Sequence, residues 1–123
     1  MIRRTEGWEQ RLGELFITSR RKLLSWGWFD CFLWPCDTIA AMTGFDLGTD
    51  FRGKYEDEVG ALRLIRDYVG SEIRLADAAP IIAERVALQI GAQPIYGTRA
   101  RRGDIALVKG ELHARQLCGF CAN

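Results

Sequence analysis

Asp30 and Cys31 stand side by side ahead of an apolar run, Phe32-Leu33-Trp34-Pro35-Cys36-Asp37-Thr38-Ile39-Ala40-Ala41-Met42-Thr43. Asp30 suits an N-cap, because its carboxylate can accept the amide protons that a first helical turn leaves without partners. Cys31 then takes the first helical position, where those amides and the positive end of the helix dipole stabilise a thiolate. Such a thiol is a candidate nucleophile. The same residues also allow a plainer role, since free cysteine is among the most buried residue types and Cys31 stands among aromatics. The other cysteines are Cys36 and a C-x-x-C pair, Cys118 and Cys121, and the single histidine is His113.

The elements that must position these groups follow from periodicity. Trp8, Leu12, Leu15 and Phe16 recur at helical spacing, which predicts an amphipathic helix from Thr5 to about Arg20 with Thr5 as N-cap. Leu23, Leu24, Trp26, Trp28 and Phe29 form an apolar connector expected to cover the helix that begins near Asp30 and ends at Gly44. Pro35 removes a donor one turn into that helix, so a kinked or loose first turn is expected. Phe45 to Lys54 reads as a loop, and its acidic residues lack the spacing of a calcium loop. A third helix is predicted over Tyr55 to Tyr68, with Val59, Leu62, Ile65 and Val69 inward and Gly70 closing it. A fourth covers Leu75 to Leu88 around Pro80. Ile105 to Val108 reads as a strand entered by Gly103-Asp104, Lys109 to Glu111 as a turn, and Leu112 to Cys121 as a second strand. The fold class expected is α+β: N-terminal helices packed on a small antiparallel sheet.

The chain as a whole sets bounds. Its 123 residues suit one domain, 1–123, and 48% hydrophobic with 27% charged residues is an ordinary globular composition. A net charge of +1 gives no global reason to expect nucleic acid. Arg20-Arg21-Lys22 and Arg99, Arg101, Arg102 are local basic patches, read as solvated faces. No apolar stretch reaches the length of a membrane span, and the charged start leads into an amphipathic helix rather than a signal-peptide core. Synthesis in a cytoplasm and use without cleavage is the expectation, and a reducing compartment argues against disulfides.

Asp30-Cys31 on a helix, followed by Gly103-Asp104-Ile105-Ala106-Leu107-Val108, resembles the NlpC-type papain-like cysteine peptidases that cleave peptidoglycan stem peptides. More closely, the chain is similar to a phage and prophage tail-tip family of NlpC-like domains. The residues that carry this likeness are Trp26 to Cys31, Thr43 to Asp46, Arg52-Gly53-Lys54-Tyr55 and Gly60-Ala61-Leu62-Arg63, spread over roughly Trp8 to Cys121. The resemblance implies a papain-like (NlpC-like) fold, C-terminally abbreviated at Asn123. It also implies a nucleophile at Cys31 and a basic residue on the last strand. Aligning Gly119-Phe120 with the Gly of the family's His-x-Gly strand puts Leu117 at the base position. His113 would lie on the same face about 13 Å away. The bulky Phe32-Leu33-Trp34-Pro35 also departs from the small residues of the family.

Three functions follow. The first is a structural adaptor or plug in a phage tail tip or baseplate hub, a virion component assembled in the bacterial host cytoplasm, with other tail-tip and hub proteins as partners and no cofactor. The second is a peptidoglycan endopeptidase, with peptidoglycan as substrate. Cys31 would be the nucleophile, His113 the base, Asp104 or a partner's residue the orienting group, and backbone amides near Cys31 the oxyanion hole. The third is a four-thiolate zinc or iron–sulfur site made of Cys31, Cys36, Cys118 and Cys121. It needs irregular backbone, because strand neighbours three apart point to opposite faces and helix residues five apart are separated by about 7.5 Å.

Overall fold

The computed structural model describes residues 2–93, 95, 97–109 and 116–120, those at 76, 97, 106–109 and 116–120 by backbone alone. The chain divides into two compact units, Ile2–Leu64 and Ile65–Asn123.

In the first unit, α1 runs over Trp8–Ser19 and α2 over Leu33–Thr43. Leu12, Leu33, Ile39 and Met42 are buried, so the two helices hide their apolar stripes in this unit. Thr5 is not the N-cap of α1. Its amide donates to the Met42 carbonyl at 2.9 Å, and Gly7, in a left-handed conformation, stands before the helix. Arg11 reinforces that tether by donating to the carbonyls of Ala41 and Glu6, both at 2.8 Å, and to the Thr5 hydroxyl. A guanidinium on the last carbonyls of α2 satisfies acceptors that no intrahelical amide can reach. Gly44 ends α2, donating its amide to Ala40.

Pro35 sits in the first turn of α2, where the missing amide has little or nothing to donate to. Pro80 is placed in the same way in α4, Ala78–Ile90. A short 3-10 turn, Leu75–Asp77, leads into α4. α3 spans Glu58–Val69 and starts three residues later than periodicity suggests. Asp57 is the reason: its carboxylate accepts the Gly60 amide at 2.7 Å, leaving Tyr55 ahead of the helix. The inward face shifts accordingly. Ala61 joins the core with Leu64 against it, while Val59, expected inside, is 64% exposed, and Leu62 is exposed as well.

The expected α+β, papain-like architecture is corrected here: among the described residues this is a helical fold built from four α-helices. Extended structure among the described residues is limited to one ribbon, Ile105–Lys109 (β1) paired antiparallel with Gln116–Phe120 (β2), in the register Ile105 opposite Phe120 and Lys109 opposite Gln116. Two strands are too few to build the layer against which a papain-like helix would lie. Of the predicted second strand, Leu112 to Cys121, β2 covers Gln116–Phe120, and residues 112–115 and 121 lie outside the described residues. The predicted turn at Lys109 to Glu111 lies outside them from residue 110 onward.

Candidate functional site

The segment ahead of α2 is a tight loop. The Ser25 and Phe29 amides each donate to the other's carbonyl, at 2.9 and 2.8 Å, and Trp28 also donates to Ser25. Gly27 turns the chain with φ 83°, and a Cβ there would run into the Tyr55 carbonyl oxygen. Only glycine meets both conditions. The Gly27 carbonyl accepts the Gly53 amide at 2.8 Å, which pins the loop to the 45–54 segment.

Asp30 is the centre of this arrangement and is 4% exposed. Its Oδ1 accepts the amides of Phe32 and Leu33 at 3.0 and 2.8 Å. Its Oδ2 accepts the Gly27 amide at 2.9 Å and the Tyr55 hydroxyl at 2.5 Å. Four donors satisfy one buried carboxylate, as burial of a charge requires. Asp30 therefore accepts the amides expected of a capping carboxylate, although α2 itself begins at Leu33 with Phe32 immediately before it, and Tyr55 is a partner that periodicity did not reveal. Burial first, and the hydrogen bond to Asp30 second, push the Tyr55 phenol well above its ordinary pKa of 10.0.

Cys31 follows immediately and is exposed. It was expected at the first helical position, but α2 begins at Leu33, so Cys31 lies in the turn two residues before the helix. Cys36 differs: it is partly buried, its thiol lies 3.7 Å from the Phe32 carbonyl, and burial pushes its pKa up to about 11. It is a packed, protonated thiol at neutral pH.

The remaining predicted site residues belong to the second unit or lie outside the described residues. Asp104 accepts the Arg101 amide at 2.7 Å and returns its own amide to the Arg101 carbonyl, closing a local turn before β1. It belongs to the second unit, whereas Cys31 belongs to the first. His113 and Cys121 lie outside the described residues, and Cys118 is placed by its backbone alone, opposite Leu107. Among the described residues no group of three His, Cys, Asp or Glu side chains stands close enough to hold a metal ion.

A second cluster, which sequence reasoning treated only as a loop, braces the site from below. Arg52 donates to both carboxylate oxygens of Asp46, at 2.8 and 3.0 Å, and to Asp37 on α2 at 2.5 Å. Asp46 also accepts the Gly48 amide at 2.8 Å. The Arg52 hydrogen bond is the main reason that the Asp46 carboxyl is held below its usual range. The signal in the sequence was the pairing of Asp46 with an arginine six residues on, across a loop with two glycines.

The connector is the largest departure. Leu23 is 86%, Leu24 61% and Trp28 63% exposed, where cover over the second helix was expected. Trp26 alone of the connector's apolar residues packs against the Leu33, Tyr55 and Ala61 cluster. Trp28 lies across Gly53, where an added Cβ would come within 3.0 Å of the indole ring.

The chain belongs to the DUF6950 family, a domain of unknown function, whose profile matches residues 3–123. No curated protein and no solved structure matches it.

Proposed function

We propose that this protein is a non-enzymatic structural adaptor of a bacteriophage tail tip or baseplate hub, incorporated into the virion after assembly in the host cytoplasm. The single observation that carries the adaptor reading is the exposure of Leu23, Leu24 and Trp28, the last of them on a loop closed by backbone hydrogen bonds between Ser25 and Phe29. Three large apolar side chains held in water gain by burial against another chain, and the loop that presents Trp28 has its conformation set before contact. The phage setting rests on the motif resemblance, carried by Trp26 to Cys31, Thr43 to Asp46 and Arg52 to Tyr55. Several of these residues have structural work in the fold: Asp30 caps, Arg52 clamps and Tyr55 supports the cap.

The test is co-expression with the tail-tip proteins of the same phage genome. The wild-type chain should co-elute with a hub protein, and a Leu23→Ser, Leu24→Ser, Trp28→Ser variant should elute alone with an unchanged far-UV circular dichroism spectrum. Retained co-elution of the variant would remove the connector from the interface.

One observation favours the peptidase as a second reading. Cys31 is exposed beside a capped helix start, which is where a reactive thiol would stand. Release of peptidoglycan fragments that vanishes in both Cys31→Ala and His113→Ala would establish the enzyme in place of the adaptor. Activity that survives both variants would come from a contaminant.

A further inference from the structure

The end of α1 and the connector behind it are charged in one sense only. From Leu15 to Phe29 the chain holds three cations, Arg20, Arg21 and Lys22, and no acidic residue. The whole chain carries +1, so the remainder is net acidic and the positive charge is locally concentrated. All three side chains are exposed, and among the described residues none is in an ion pair. Arg11, Arg52 and Arg85, by contrast, are committed inside the fold, to carbonyls or to carboxylates. The Lys22 ammonium stands 5.4 Å from the centroid of the Phe29 ring, which holds it beside the loop.

Apolar side chains flank these cations on both sides. Exposed Ile17 lies one turn ahead of Arg20 and Arg21, exposed Leu23 and Leu24 follow Lys22 directly, and Trp28 lays the six-membered ring of its indole over Gly53. All of these residues belong to the first unit. Scattered apolar residues are ordinary on a surface, but this grouping beside unpaired charge has the composition of a contact. A group that covers it must supply apolar area and negative charge together.

We infer that the partner of this surface is an acidic face of a hub protein, with carboxylates set around an apolar centre. The carboxylates meet Arg20, Arg21 and Lys22 while Ile17, Leu23, Leu24 and Trp28 are buried. This rests on the adaptor reading and adds to it the partner's charge. A protein suits the surface better than an anionic bilayer: a bilayer takes up side chains that protrude, whereas Trp28 lies down on Gly53. Opposite charges speed the encounter and the apolar set holds the complex, so the two groups act on different rate constants.

The test is the kinetics of binding between the full chain and the co-eluting hub protein, at about 50 mM and about 500 mM sodium chloride. An Arg20→Glu, Arg21→Glu variant should associate about tenfold more slowly at low salt, with little change in dissociation. That difference should shrink at high salt, and Tm should hold, since neither arginine has an ion pair to lose. Leu23→Ser, Leu24→Ser should chiefly speed dissociation. An association rate and salt dependence unchanged by the charge reversal, with binding still lost in the serine variant, would overturn the acidic partner and leave the adaptor standing. Absence of any hub complex would overturn both. Preference for phosphatidylglycerol over phosphatidylcholine vesicles would then give the surface to lipid, and self-association abolished by the reversal would give it to a second copy of this chain.

Discussion

Asp30 and Cys31 are neighbours with opposite surroundings, one enclosed by four donors and the other open to solvent. Asp30→Ala would strand the amides of Gly27, Phe32 and Leu33 and the Tyr55 hydroxyl, at a cost of about 3 kcal/mol, measurable by urea denaturation. Tyr55→Phe keeps the ring and loses one bond to a buried carboxylate, so about 2 kcal/mol is expected. The Tyr55 phenol carries a pH dependence as well. Its folded pKa lies above its unfolded value of 10.0, so its stabilisation is complete below pH 10 and falls as pH rises beyond that. Wild type should lose stability above pH 10 more steeply than Tyr55→Phe. The thiols should separate too: peptide mapping after brief iodoacetamide treatment at pH 7.5 should find Cys31 alkylated well before Cys36, whose thiol is held protonated. At this scale the sequence made Asp30 legible, because an Asp before an apolar helical run states its capping role locally. It did not reveal Tyr55, because a partner 25 residues away leaves no periodic trace.

Elements were legible where an apolar stripe was continuous. α1, α2 and α4 lie where periodicity put them, to within a few residues at their ends. The boundary of α3 moved because Asp57, rather than the residues before Tyr55, supplies the cap, and that shift turned Val59 outward. The segment joining α2 to α3 was read as a plain loop because long-range ion pairs do not register in local patterning. Its bracing role predicts that Arg52→Met, which frees Asp37 and Asp46 together, should cost about 2 kcal/mol at pH 7. The acid limb follows from Asp46, whose folded pKa is depressed: its stabilisation is present above the unfolded carboxylate pKa and is lost as pH falls through the folded one. Wild type should therefore lose more stability than Arg52→Met as pH falls through the acid range, and the gap between the two should narrow. Gly27→Ala tests the loop that carries the connector. A positive φ and the Tyr55 carbonyl both oppose a side chain there, so a loss of about 2 kcal/mol or more is expected.

For the molecule as a whole, short motifs pointed to a papain-like sheet, and the chain instead buries its apolar residues between helices. Asp30 accepts the amides at the head of α2 and Gly103-Asp104 leads into β1, as read from the sequence, but such local devices are shared by unrelated folds and do not fix the layer built around them. The connector was misread for a related reason. Composition shows that Leu23, Leu24 and Trp28 are apolar, whereas their exposure is set by where the chain runs between α1 and α2. No helix among the described residues is long and apolar enough to cross a membrane. Under the proposed adaptor reading, Leu23, Leu24 and Trp28 form a surface for another protein. Hydroxyl-radical footprinting of the free chain and of assembled tail tips tests that reading most directly, because it measures the solvent accessibility of these three side chains. Strong protection of Leu23, Leu24 and Trp28 on assembly, with little change at exposed Val59, is the predicted result; equal oxidation of all three in the free and assembled states would contradict it.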